Sequence, residues 1–191
     1  MSGTYPSEPE FEAINISSRH SNLFSETVSG RVQRRSLGAQ RWSFTAQYNP
    51  MTRAEFQPVF AFVMSQQGRL GSFGIVPPVL GSTSGSATGT ATVSDDTQAG
   101  ASSVPVEGFS GVIKAGDFIK FAHGKVYMVT SDQDGPGNID IEPALLQDVS
   151  ENEQMIYNNV TFTMRLANDV QEYSLNANEY FQYEIDMIEV V

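Results

Sequence analysis

His20 and His123 are the two side chains in this sequence whose ordinary pKa suits proton transfer near neutrality. A hydrolytic triad needs a nucleophile within hydrogen-bond reach of a histidine that a carboxylate orients. His20 is followed by Ser21-Asn22 in a polar stretch, and His123 precedes Gly124 at a hairpin-turn position. No Gly-x-Ser-x-Gly elbow occurs. Both histidines therefore read as exposed turn residues.

The acidic run from Asp132 to Glu142 can be set against a calcium loop, which needs oxygen ligands at positions 1, 3, 5 and 9, Gly at 6 and Glu at 12. Asp132, Asp134, Gly137 and Asp140 fall at positions 1, 3, 6 and 9, but Pro136 and Pro143 occupy 5 and 12, and the flanks read as strands. A β-turn is the better reading. With no cysteine, disulfides, thiolate-bound zinc, iron–sulfur clusters and thiol catalysis are excluded. The glycines from Gly81 to Gly89 lack the Lys and following helix of a phosphate loop. Carboxylate pairs abound, yet no flanking pattern singles one out for glycoside chemistry. The expectation is a chain that is not an enzyme, with no catalytic residue, cofactor or metal.

One charged cluster stands out. Arg31, Arg34, Arg35 and Arg41 lie beside Trp42, in a chain with 11 Lys+Arg against 22 Asp+Glu and a formal charge of −11. Residues 1–70 carry +2 and residues 71–191 carry −13. The arginines are either a solvated edge that discourages strand-on-strand aggregation or a contact surface. As a contact surface they suit acidic faces of partner subunits better than DNA, because a planar guanidinium bonds carboxylates bidentately and the acidic remainder repels phosphate.

The elements that position these residues are mostly strands. At 191 residues the chain can bury a core without metal or disulfide. No apolar run approaches the ~20 residues of a membrane span, and the N-terminus lacks the apolar core of a signal peptide. A soluble chain without membrane insertion is expected. Residues 1–10, with Pro6 and Pro9, predict an arm that is mobile alone and orders on a neighbour. Residues 13–17 read as a strand, and 28–48 as a hairpin turning at Ser36-Leu37-Gly38-Ala39. Trp42, Phe44, Ala46 and Tyr48 alternate onto one face. Thr52 and Glu55 form a capping box, and Phe56, Val59, Phe60 and Val63 make one stripe of a helix over about 52–67. Pro58 predicts a kink or tight start, and Gly68 the stop.

Residues 81–103 look like a linker by composition, but Thr88, Thr90 and Thr92 at alternate positions predict a small-residue strand. Short strands follow at 103–106, 118–121, 125–130, 138–141 and near 154–157, with turn residues between them. Alternation returns at Val160, Phe162, Met164 and Leu166, and again at Phe181, Tyr183, Ile185 and Met187. The two amphipathic ends match each other and not the middle. The predicted fold is all-β with one helix: a discontinuous β-sandwich of residues 1–80 and 155–191, interrupted by a small barrel-like module at 81–154.

Arg34-Arg35-Ser36-Leu37-Gly38-Ala39-Gln40-Arg41-Trp42-Ser43-Phe44, then Met51-Thr52-Arg53-Ala54-Glu55 and Phe62-Val63-Met64-Ser65-Gln66-Gln67-Gly68-Arg69, together resemble tail-tip proteins of tailed bacteriophages. In these a hairpin leads to a helix and a Gly-rich extended stretch. Lys114-Ala115-Gly116-Asp117-Phe118-Ile119-Lys120-Phe121 with Val126-Tyr127-Met128-Val129 resembles their inserted β-module, and residues 180–190 are similar to the last strand of the ring-forming domain of distal tail proteins.

The resemblance spans about residues 28–190 and implies a virion structural protein of the tail tip or baseplate, assembled in the host cytoplasm. Its implied partners are itself in a homo-hexameric ring, the tail tube protein, the tail hub protein and a fibre or receptor-binding protein. DNA would meet it only in transit through the lumen. The arginines and Trp42 would then lie at a subunit boundary. The alternative it leaves open is a binding module, a fibre adaptor or host-glycan binder, outside the central ring. The inserted module is short for this family, so no carbohydrate-binding domain is implied.

Overall fold

The computed structural model describes residues 3–38 and 40–191. Ala39, in the turn expected at 36–39, and the first two residues of the N-terminal arm lie outside the described residues. In chain order, β1 (Phe11–Arg19), β2 (Asn22–Glu26), β3 (Val32–Ser36) and β4 (Arg41–Tyr48) precede the helix α1 (Arg53–Ser65) and β5 (Phe73–Ile75). Then come β6 (Thr88–Val93), β7 (Ser103–Ser110), β8 (Val112–Ile113), β9 (Phe118–Lys120) and β10 (Val126–Val129). β11 (Gln133–Asp134), β12 (Gly137–Glu142), β13 (Gln154–Met155), β14 (Phe162–Leu166), β15 (Tyr173–Leu175) and β16 (Phe181–Glu189) complete the chain. The fold is all-β with one α-helix.

Two compact units divide the chain: Met1–Ile75 with Thr163–Val191, and Val76–Phe162. The sequence reading puts the boundaries at 80/81 and 154/155. They fall outside those points because both flanks of the middle segment bond to each other: Val160 donates to the Gly81 carbonyl at 2.7 Å, and Ser82 bridges Asn158.

In the first unit the sheet order is β1-β4-β16-β14-β5, with β15 also on β16. The ladder from Ser43↔Ile188 to Gln47↔Glu184 joins the two ends of the chain. Period-two alternation explains why these strands pair one face inward. Trp42, Phe44, Ala46 and Tyr48 of β4, Tyr183, Ile185 and Met187 of β16, and Met164 and Leu166 of β14 are all buried. The layer against them is α1 with the N-terminal segment, where the sequence suggested a second sheet. Phe56, Val59 and Val63 supply the helix's buried stripe, and the Phe56 ring stacks on Phe181 at 4.5 Å.

Glu55 accepts both the backbone N–H and the hydroxyl of Thr52, each at 2.8 Å, which holds its carboxyl below the usual range and marks the helix start. The helix runs unbroken past Pro58 to Ser65. Gly68 follows in the left-handed region, where a Cβ would come within 2.7 Å of Asp169 Oδ1.

The chain departs from the sequence pattern at two places. Residues 3–5 are tied to their own chain: Tyr5 N–H donates to the Gly74 carbonyl at 2.8 Å, and its hydroxyl is bonded to Tyr48 at 2.9 Å. Burial raises the Tyr48 phenol to about 12 and that of Tyr5 further, so the pair stays protonated. Secondly, 28–48 is not a hairpin. β3 pairs with β2, and β4 pairs with β1. The chain reverses at Thr27–Arg31 instead, where Gly30 takes φ +77 and the Thr27 N–H donates to the Arg31 carbonyl at 3.0 Å.

The second unit is a nearly closed barrel. Its sheet runs β13-β6-β7-β12-β10-β9, and reciprocal bonds between Lys120 and Ile156 (2.9 and 2.8 Å) bring the two edges together. This near-closure leaves little free edge, and the interior fills with Val93, Val104, Ile119, Phe121, Tyr127 and Ile139 among others. The Thr88–Val93 segment is the small-residue strand that its alternation predicts. Gly111 takes φ +84 between β7 and β8, and a Cβ there would fall against the Ser86 carbonyl oxygen. Gly111→Ala is therefore expected to destabilise the barrel by more than the ~1–2 kcal/mol of a left-handed alanine alone, checked by urea unfolding of the purified variant.

Candidate functional site

The β1–β4 pairing ends at Arg19↔Arg41. At Trp42 the backbone N–H donates to the buried Glu189 carboxylate at 3.1 Å, and beyond this point β4 has no third strand beside it. The two segments continue as the β2–β3 ribbon, from Asn22↔Ser36 to Glu26↔Val32, linked by the Leu37 N–H donating to the Ser21 carbonyl at 2.9 Å. Five residues per strand give a projection of roughly 17 Å. Every described residue from Asn22 to Gly38 is exposed.

Directly opposed residues share a face. Phe24, Val32 and Arg34 therefore lie on one side of the ribbon, and Leu23 and Arg35 on the other. Both sides carry an exposed apolar group beside an arginine, Phe24 being 65% exposed and Leu23 56%. Arg31 sits in the turn. Arg19 and Arg41 face each other at the root, a like-charge pair that costs stability unless an anion lies near. No ion pair among the described residues involves Arg31, Arg34, Arg35 or Arg41. Trp42 does not belong to this surface: at 5% exposure it is a core residue.

From Arg19 to Arg41 the chain holds five arginines and one glutamate, a charge of +4, which leaves six basic and twenty-one acidic residues, −15, for the rest. Within the first unit, a groove of about 580 Å³ beside β15 and β16 is lined by Glu12, Glu172, Glu184, Tyr173 and Gln182, with no basic residue. The neighbouring cleft of about 1060 Å³ is aromatic, lined by Phe56, Phe60, Tyr173 and Phe181. Sequence reasoning does not find the acidic groove, because its carboxylates come from β1, the loop before β15, and β16. It also misses β2, where Leu23-Phe24 among polar residues is the one available signal.

The remaining candidates resolve separately. His20 Nε2 lies 3.1 Å from the Ser18 hydroxyl, and that hydroxyl accepts from the Gln40 amide at 2.8 Å. His123 is not the exposed turn residue expected: it is half-buried, with Nε2 2.7 Å from the Tyr127 hydroxyl, and desolvation lowers its pKa. Asp132 of the tested calcium loop accepts from the Ala115 N–H at 2.9 Å and pairs with Lys114 Nζ at 2.6 Å. Its oxygens hold a turn. No helix of the described chain is long and apolar enough to cross a membrane. No family model matches the sequence, and no curated protein matches it significantly.

Proposed function

We propose that this chain is a structural subunit of a tailed-phage virion, forming a ring at the distal end of the tail that joins the tail tube, the central hub and the peripheral fibre or receptor-binding components. The observation that carries this reading is the β2–β3 ribbon, which its own chain leaves uncovered on both faces. An isolated two-stranded hairpin is marginally stable in water, so its favoured state is against another subunit. The phage assignment within that reading comes from the resemblance of residues 28–190. On it the chain acts by assembly and not by catalysis, and is built in the host cytoplasm into the tail tip or baseplate. A bore lined by so acidic a chain would let DNA pass without binding it. A glycan-binding role for the barrel is less well supported, since Phe109, Phe118 and Tyr127 are core residues and offer no stacking surface.

Mass photometry of the purified chain across a concentration series, with negative-stain imaging of the largest species, tests the reading. A closed ring of about six copies is the expected result. A monomer at every concentration would overturn it.

A further inference from the structure

We propose that the β2–β3 ribbon of one copy seats in the Glu12–Glu172–Glu184 groove of the next copy. This rests on the reading of the chain as an assembly subunit and names the surface that meets the ribbon. The ribbon is not in its own groove, because every described residue from Asn22 to Gly38 is exposed. It needs an occupant that supplies carboxylates for Arg34 and Arg35 and a flat apolar contact for Phe24 or Leu23.

A second copy meets both needs. Outside the ribbon and its root the chain carries −15. The groove is lined by three carboxylates together with Tyr173, a half-exposed residue. Arginine binds carboxylates through its planar fork and lies favourably over an aromatic face. The like-charged pair Arg19↔Arg41 at the root gains from the same acidic neighbour. Nucleic acid fits the arginines but not the acidic remainder, which would repel it. Because ribbon and groove are different patches of the same chain, their contact is head-to-tail. Such contacts close into rings when the rotation permits and otherwise extend as filaments.

The chain contains no cysteine, so engineered thiols report on a clean background. A protein with Ser25→Cys on the ribbon and Gln182→Cys in the groove, both exposed positions, is oxidised and run without reductant. The expected result is a ladder of cross-linked multimers. An equal mixture of the two single-cysteine proteins should stop at dimers. Arg34→Glu with Arg35→Glu should cut cross-linking about tenfold, the effect of losing two modest charge pairs. Adding Glu172→Arg and Glu184→Arg to the same chain should restore it.

Dimers of the Ser25→Cys protein alone would show ribbon-on-ribbon pairing and overturn the proposal, as would a cross-link within one chain. Charge reversal that spares the ladder but abolishes retention of a duplex oligonucleotide would identify nucleic acid as the occupant and also overturn it. Rings without the Ser25–Gln182 cross-link would sink this seat while leaving the ring reading standing. A protein monomeric throughout would remove both.

Discussion

Phe44→Ala is expected to lower the stability of the first unit by about 3–5 kcal/mol, the range for removing a fully buried phenylalanine. Phe44 is 1% exposed and sits on a strand flanked on both sides, opposite Ile16 of β1 and Met187 of β16. Two ladders of backbone hydrogen bonds fix its neighbours, so the sheet cannot close over the void, and the cavity adds to the lost transfer energy. Urea unfolding followed by the fluorescence of Trp42, the single tryptophan, reads this unit directly. Phe24→Ala is the internal comparison. The same chemical change on the exposed ribbon should move stability by no more than about 0.5 kcal/mol, while removing an apolar group from the surface proposed for assembly. A Phe44→Ala protein within about 1 kcal/mol of the parent, well short of that range, would mean that the sheet does not carry the unit's core.

Asp117→Asn should cost the barrel about 3 kcal/mol, the upper end for leaving buried polar groups unsatisfied, and change its response to acid. Asp117 is 5% exposed in the turn before β9. Its Oδ1 accepts from the Ser84 N–H at 2.8 Å and the Ser84 hydroxyl at 2.7 Å. Its Oδ2 accepts from the Thr83 hydroxyl and, at 2.9 Å, from the Lys114 N–H. An asparagine turns one of these oxygens into a donor facing donors. Burial alone would raise the carboxyl's pKa, but the bonds from Thr83, Ser84 and Lys114 outweigh it and hold it below the usual 3.8.

A carboxyl depressed in the folded state contributes its full stability above the unfolded value, near 3.8, and loses it as pH falls through the lower folded value. The parent barrel should therefore weaken below about pH 4, whereas the neutral amide in the Asp117→Asn variant has no proton to take up there. Unfolding free energies measured from pH 7 to pH 2 on both proteins check this. Parallel curves would show that Asp117 contributes nothing to acid lability.

Which residues face inward was legible along the chain. Alternation at Trp42, Phe44, Ala46 and Tyr48 marks the buried face of β4, and the same period marks β14 and β16. Thr52 and Glu55 start the helix where their spacing says they should, and alternating threonines reveal β6 inside a stretch that composition alone would leave as a linker. These signals are local, because the period of a strand or helix is repeated by each residue and its near neighbours.

The ribbon is different. With both faces exposed, β2 and β3 carry no alternation, so neither their pairing nor the turn at Thr27–Arg31 is written in a hydrophobic pattern. Gly38 takes the positive φ that its type suggests, yet it lies where the ribbon leaves the sheet and does not turn a hairpin. The alternation that buries Trp42 also separates it from Arg41 beside it, since a one-residue step along a strand changes the face. The acidic groove and the closing bonds between Lys120 and Ile156 join residues far apart in sequence. Composition and periodicity determined the all-β class, the inward faces and the cationic segment. Strand partners, the barrel's closure and the groove were decided only by the tertiary structure, because a backbone edge can be satisfied by any strand that reaches it.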